Sequence, residues 1–112
     1  MKVAVIGSRN LTITDLGKYL PENTDEIVSG GANGIDKCAR DYATSKGINL
    51  TEFLPDYKRY GRYAAPLKRN LKIIEYSDVI IAFWDSKSKG TKFVIENSEK
   101  SGKEITVYVI KP

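Results

Sequence analysis

Glu26-Ile27-Val28-Ser29-Gly30-Gly31-Ala32-Asn33-Gly34-Ile35-Asp36 is the stretch on which the fold turns. Glu26 to Ser29 read as a short strand, and the glycines that follow permit positive φ and a sharp change of direction. Ile35, Cys38, Ala39, Tyr42 and Ala43 then recur at i, i+3, i+4, i+7 and i+8, the apolar face of a helix. Gly47 is the expected stop. Strand, glycine turn and helix together open a βαβ unit.

The same grammar repeats on both sides. Upstream, Val3-Ala4-Val5-Ile6 is continuously apolar and ends at Gly7-Ser8, as a strand buried on both faces does. Ile13, Leu16 and Leu20 keep helical spacing, Thr12 with Asp15 suggests an N-cap, and Pro21 closes the segment. Downstream, Leu50 to Leu54 read as a third strand ended by Pro55. Asp56 to Tyr63 read as an irregular functional loop, with a helix starting near Ala64 to Pro66 and carrying Leu67, Leu71 and Ile74 on one face. Val79 to Phe83 form a fourth strand and Trp84 to Thr91 a loop. A last helix bears Val94 and Ile95 and stops at Gly102, and Ile105 to Ile110 form a fifth strand. Alternating strands and helices predict an α/β, Rossmann-like three-layer sandwich. Its five-stranded, mostly parallel sheet takes the order 3-2-1-4-5 if the chain reverses after the third strand. No linker or repeat interrupts residues 1–112, which read as one domain.

Composition narrows the chemistry. The chain has no histidine, which excludes Ser-His-Asp and Cys-His catalysis and the usual histidine metal sites. Cys38 is the sole cysteine, so no internal disulfide forms; on the apolar helix face it reads as a structural thiol rather than a nucleophile. The first apolar run is too short for a signal peptide or a membrane span, and the reading is a cytoplasmic protein without membrane contact. A net charge of +4 suits an anionic ligand but equally a solvated surface.

In a parallel sheet the carboxyl ends of all strands share one edge, and ligands bind there beside the switch in strand order. Gly7-Ser8-Arg9 follows the first strand and offers a backbone N–H, a hydroxyl and a guanidinium to a phosphate. Ser29-Gly30-Gly31-Ala32-Asn33-Gly34 follows the second and gives the strongest single motif. Its glycines allow close approach of a ligand, and the helix it opens directs free N–H groups at the crevice. Asp36 in that first turn either binds a ribose hydroxyl or stabilises the helix dipole by about 0.3–1 kcal/mol. Tyr57 and Arg59 follow the third strand, with Lys68, Arg69 and Asn70 beyond them. Here cations alternate with tyrosines, a pattern that suits phosphates and stacked bases, or a solvated helix face. Trp84 forms a ligand wall or seals the core edge. Asp85 contacts ribose or acts as an acid–base group. Ser88-Lys89-Gly90-Thr91 opens a second helix N-terminus able to hold an anion.

Gly7-Ser8-Arg9, Ser29 to Asp36, Pro55-Asp56-Tyr57, Lys68-Arg69-Asn70, Phe83-Trp84-Asp85 and Lys89-Gly90-Thr91 together resemble the YspA-like group of the SLOG superfamily. That superfamily also holds the DNA-processing Smf/DprA proteins and the LOG-type nucleotide phosphoribohydrolases. The resemblance implies a prokaryotic or phage domain that binds a nucleotide or nucleotide-derived signal as a sensor or sequestering module, often as a homo-oligomer. No cofactor is implied beyond that ligand, and no metal. Gly30, Gly31, Gly34, Arg69, Asn70, Gly90 and Thr91 would line the site. LOG-type hydrolases carry a catalytic glutamate in a Pro-Gly-Gly-x-Gly-Thr-x-x-Glu motif, and the matching position here is Val94. Phosphoribohydrolase activity would therefore need Asp36 or Asp85 as its carboxylate. Binding of single-stranded nucleic acid, as in the DNA-processing relatives, is the further alternative.

Overall fold

A computed structural model describes residues 1–111. Strand β1 spans Lys2–Gly7, β2 Glu26–Ser29, β3 Asn49–Glu52, β4 Val79–Trp84 and β5 Glu104–Val109. Helix α1 spans Ile35–Lys46, α2 Tyr57–Tyr76 and α3 Lys89–Lys100. The five strands form one sheet in the order β3-β2-β1-β4-β5, every neighbouring pair parallel. β1 and β4 lie side by side at its centre, with Gly7 opposite Phe83 in the last registered pair.

The alternation of side chains along β1 explains why its sequence has no polar residue between Val3 and Ile6. Val3 and Val5 face a layer made by Leu11, Leu16, Ile35, Ala39 and Ala43. Ala4 and Ile6 face the opposite layer, made by Ile73, Ile74 and Val94 of α2 and α3. β4 alternates in the same way, Ile81 and Phe83 into the first layer and Ile80 and Ala82 into the second. With both faces covered, each such valine, isoleucine or phenylalanine contributes about 1.5–3 kcal/mol of burial if fully removed from water. Phe83 is wholly buried, edge-on to Tyr19 at 5.0 Å and stacked on Tyr108 at 5.5 Å between centroids.

Two expectations need correction. The helix anticipated around Ile13 to Leu20 is only a 3-10 turn, Leu16–Tyr19. Thr12, Ile13 and Thr14 are β-branched and Gly17 is a weak helix former, so too few residues remain to repay nucleation. Thr12 is no N-cap; the residue before the turn is Asp15, whose side chain makes no capping bond. The spacing of Leu16 still delivers one fully buried anchor to the core.

The loop expected from Asp56 to Tyr63 is instead helical from Tyr57, because Asp56 caps it: its carboxylate accepts the Arg59 N–H at 3.1 Å. A break falls at Gly61, at φ 79° and ψ 178°, a conformation open essentially to glycine alone. α2 is thus two arms, a single turn before Gly61 and a long helix after it. α1 ends as its sequence predicts, with Gly47 left-handed at φ 67° and its N–H bonded to the Ala43 and Thr44 carbonyls. No described helix is long and apolar enough to cross a membrane.

Candidate functional site

Past the paired carboxyl ends of β1 and β4, where the strand order switches, the chain leaves for opposite faces of the sheet, and a crevice of about 510 Å³ opens there. Ile6, Ile73 and Val94 give it an apolar floor, and Pro66 and Leu67 of α2 form one lip. Its polar wall comes from Ser8, Arg9, Asp36, Arg69, Asn70, Asp85 and Ser88 to Thr91. A smaller recess of about 240 Å³ adjoins it, sharing Arg9, Gly30, Ala32 and Arg69, and adding Gly31, Asn33, Pro55 and Tyr57.

Arg69 holds the two recesses together. It is only 8% exposed, unusual for a guanidinium. Nη1 donates to the Gly30 carbonyl and, at 3.4 Å, to that of Phe53, while Nε donates to Asn70 Oδ1 at 2.8 Å. Burial lowers its pKa, opposed by the Asp36 charge; the group remains a cation. Asn70 also lines the crevice, and its amide nitrogen has no partner among the described residues.

Asp36 sits in the first turn of α1, buried, with Oδ2 accepting the Ala32 N–H at 3.2 Å. Burial pushes its carboxyl above the usual range, against the pull of that hydrogen bond and of the nearby Arg69 charge. Asp85 is the opposite case. Oδ1 accepts the N–H groups of Ser88 at 2.7 Å and Lys87 at 2.9 Å, and these bonds hold the carboxyl far below its ordinary value. Through these bonds Asp85 shapes the turn before α3. Ser8 joins the two central strands at this point. Its N–H donates to the Phe83 carbonyl at 3.0 Å and its Oγ accepts the Asp85 N–H at 3.2 Å.

The glycines of the β2–α1 turn make room for the protein itself. A Cβ on Gly30 would meet Arg69 Nη1 at 2.6 Å, and one on Gly34 would collide with the backbone of Arg9. On Gly7 it would strike the Phe83 carbonyl and Ile35. Gly31, at φ 71°, would press on Leu54 Cδ2. Gly90 differs, with nothing within 4 Å of its added Cβ. It lies in the first turn of α3, which begins after Ser88 with no side-chain cap and no acidic residue.

Of the residues expected at the site, Gly7, Ser8, Arg9, Gly30, Ala32, Asp36, Arg69, Asn70, Asp85, Lys89, Gly90 and Thr91 line the main crevice. Gly31, Asn33 and Tyr57 line the smaller recess. Ser29, Gly34, Arg59, Lys68 and Trp84 line neither. Ser29 is wholly buried at the end of β2. Trp84 donates its indole N–H to the Ser88 carbonyl at 3.0 Å and so braces the turn. Arg59 and Lys68 are exposed on α2. Ser88 and Val94, singled out in the sequence at the second helix start and at the hydrolases' glutamate position, line the crevice as well. Sequence reading missed Ile6, Asn10, Pro66, Leu67 and Ile73. Asn10 was legible by adjacency to the first strand end, whereas the rest look like ordinary core or helix residues.

An all-parallel, doubly wound sheet with a polar crevice at its switch point defines a Rossmann-like α/β domain. More narrowly, the chain belongs to the YspA, cpYpsA-related SLOG family, whose model matches residues 1–60. That match takes in β1, the glycine turn, α1 and the first turn of α2; Arg69, Asn70 and the α3 turn lie beyond it. No curated protein and no solved structure matches the chain.

Proposed function

We propose that this protein binds a nucleotide or nucleotide-derived phosphate ligand in the crevice past the ends of β1 and β4. The reading rests above all on the uncapped N-terminus of α3. Its first turn carries no acid, Gly90 leaves its backbone open, and Lys89 and Arg9 bring exposed cations to the same wall. Backbone N–H groups at a helix start bind phosphate oxygens, and the helix dipole favours their charge. The Asn70 amide supplies a further donor, and the Pro66 and Leu67 lip offers an apolar surface for a nucleoside.

Binding fits these residues better than turnover. Asp85 Oδ1 accepts the Lys87 and Ser88 N–H groups, and Val94 stands on the floor where the resemblance to LOG-type hydrolases would require a glutamate. Asp36, with its raised carboxyl, is the one remaining acid in the crevice and also accepts the Ala32 N–H. The test is a thermal-shift series with mononucleotides, dinucleotides, ADP-ribose and cyclic nucleotides, read beside chromatography for released base. A native-state ligand at a hundred times its Kd adds about 2.7 kcal/mol of stability. A rise in Tm that disappears in Arg9→Ala/Lys89→Ala, with no free base, is the expected result. No rise with any of them overturns the reading, and released base assigns a reaction instead.

A further inference from the structure

One residue on the crevice wall has the wrong charge for the rest. Arg9, Arg69, Lys89 and the uncapped start of α3 all favour anions, yet Asp36 stands among them. It is only 6% exposed, although a carboxylate needs no burial to favour the start of its helix. Its place in α1 therefore does not account for its burial.

Asp36 is also short of donors. An ionised carboxyl offers about four acceptor positions. Only one is filled here, by the Ala32 N–H on Oδ2 at 3.2 Å. Arg69 pulls on the charge but forms no ion pair with it among the described residues. The buried side-chain atoms there that are both shut off from solvent and unpartnered are the hydroxyls of Ser29, Ser77 and Ser98. Asp36 Oδ1 has no partner and is not one of these, so it opens on the crevice that the residue lines. Burial raises the carboxyl, as it does for an anion with too few donors.

The two helix starts at this edge are thereby unequal. A phosphate at α1 would face the Asp36 charge, whereas the first turn of α3 holds no acid. Phosphate belongs at α3, and the part of a ligand that reaches Asp36 must bring hydrogen-bond donors without negative charge. Sugar hydroxyls do so.

We propose that Asp36 receives the 2′ and 3′ hydroxyls of the ligand's ribose, which makes the crevice selective for ribonucleoside 5′-phosphates with a free cis-diol. This rests on the crevice reading above and narrows it. A deoxy sugar leaves the buried carboxyl short of a donor, and a site built to bond a hydroxyl rejects the analogue that lacks it. A phosphate on either hydroxyl is set against the carboxylate, so the same residue excludes 3′-phosphorylated and 3′,5′-cyclic nucleotides.

The test is calorimetric titration of the whole protein with the 5′-monophosphates of adenosine, guanosine, cytidine and uridine, and with the 2′-deoxy and 3′-deoxy forms of each. Removing either hydroxyl from the best-bound ribonucleotide should weaken binding about tenfold or more, the scale of a hydrogen bond to a charged group. Asp36→Asn should reduce the preference below that factor. Its amide oxygen must keep the Ala32 N–H, which leaves a donor where Oδ1 accepted. A smaller loss for either deoxy form overturns the inference and leaves the crevice reading intact. So does a tenfold preference that survives in Asp36→Asn, or the 3′,5′-bisphosphate of the same nucleoside binding as tightly as its 5′-monophosphate. Failure of all these monophosphates also overturns it; the crevice reading falls only if the wider nucleotide series fails as well.

Discussion

The β2–α1 turn and the β4–α3 turn occupy equivalent places at the sheet edge, yet they use their residues in contrary ways. The first is rich in glycine, and its glycines are filled from inside: Arg69 and Asp36 press on Gly30 and the Arg9 backbone on Gly34. The second has one glycine, Gly90, facing open space. The first carries a buried acid, Asp36, in its helix turn; the second keeps its acid, Asp85, before the helix and turned toward backbone N–H groups. A glycine-rich turn is therefore a statement about close packing, and only the neighbours say whether a ligand or the protein does the packing.

Four substitutions sharpen that contrast. Gly34→Ala should be the most damaging, by about 3 kcal/mol or more in urea unfolding, since it puts a Cβ against the Arg9 backbone at φ 72°. A loss below about 1 kcal/mol would mean the turn relaxes easily. Arg69→Ala should cost about 2–4 kcal/mol by leaving the Gly30 carbonyl and Asn70 Oδ1 without their donor. An unchanged unfolding midpoint with weakened nucleotide binding would instead return Arg69 to the ligand.

Asp36→Asn separates burial from charge. Because the native carboxyl is raised, the folded protein holds the proton more tightly than the unfolded chain. The wild type should thus lose stability relative to the variant as pH rises from about the unperturbed value of 3.8 through the raised native one. Below that window the charge-dependent difference vanishes, and at neutral pH the variant should be at least as stable. Parallel pH profiles would show that Asp36 is not penalised by its burial. The smallest effect on folding belongs to Gly90→Ala, neutral or stabilising by up to about 1 kcal/mol through helix propensity. Its nucleotide affinity should fall all the same; retained affinity would move the phosphate off the α3 turn.

Much of this was readable from residue order. Val3 to Ile6 and Val79 to Phe83 are apolar without interruption because both their faces are covered, and the strand order 3-2-1-4-5 follows from right-handed crossovers with one reversal after the third strand. Asp56 could have been read as a helix cap three residues before Arg59, but the glycine and tyrosines after it suggested a loop. Ile13 and Leu16 match helical spacing, yet spacing says nothing about whether Thr12 to Thr14 can nucleate. The roles of Gly30 and Arg69 were out of reach for a different reason. Residues 39 positions apart meet only after the sheet and α2 are assembled, and no local pattern records that contact.

Trp84 has one consequence for the laboratory. It is the chain's single tryptophan, and its indole N–H is bonded to the Ser88 carbonyl at the threshold of α3. Ligand occupancy that shifts this turn alters the polarity around one identifiable fluorophore. The protein carries its own optical reporter, and emission at a single wavelength can follow binding without any label.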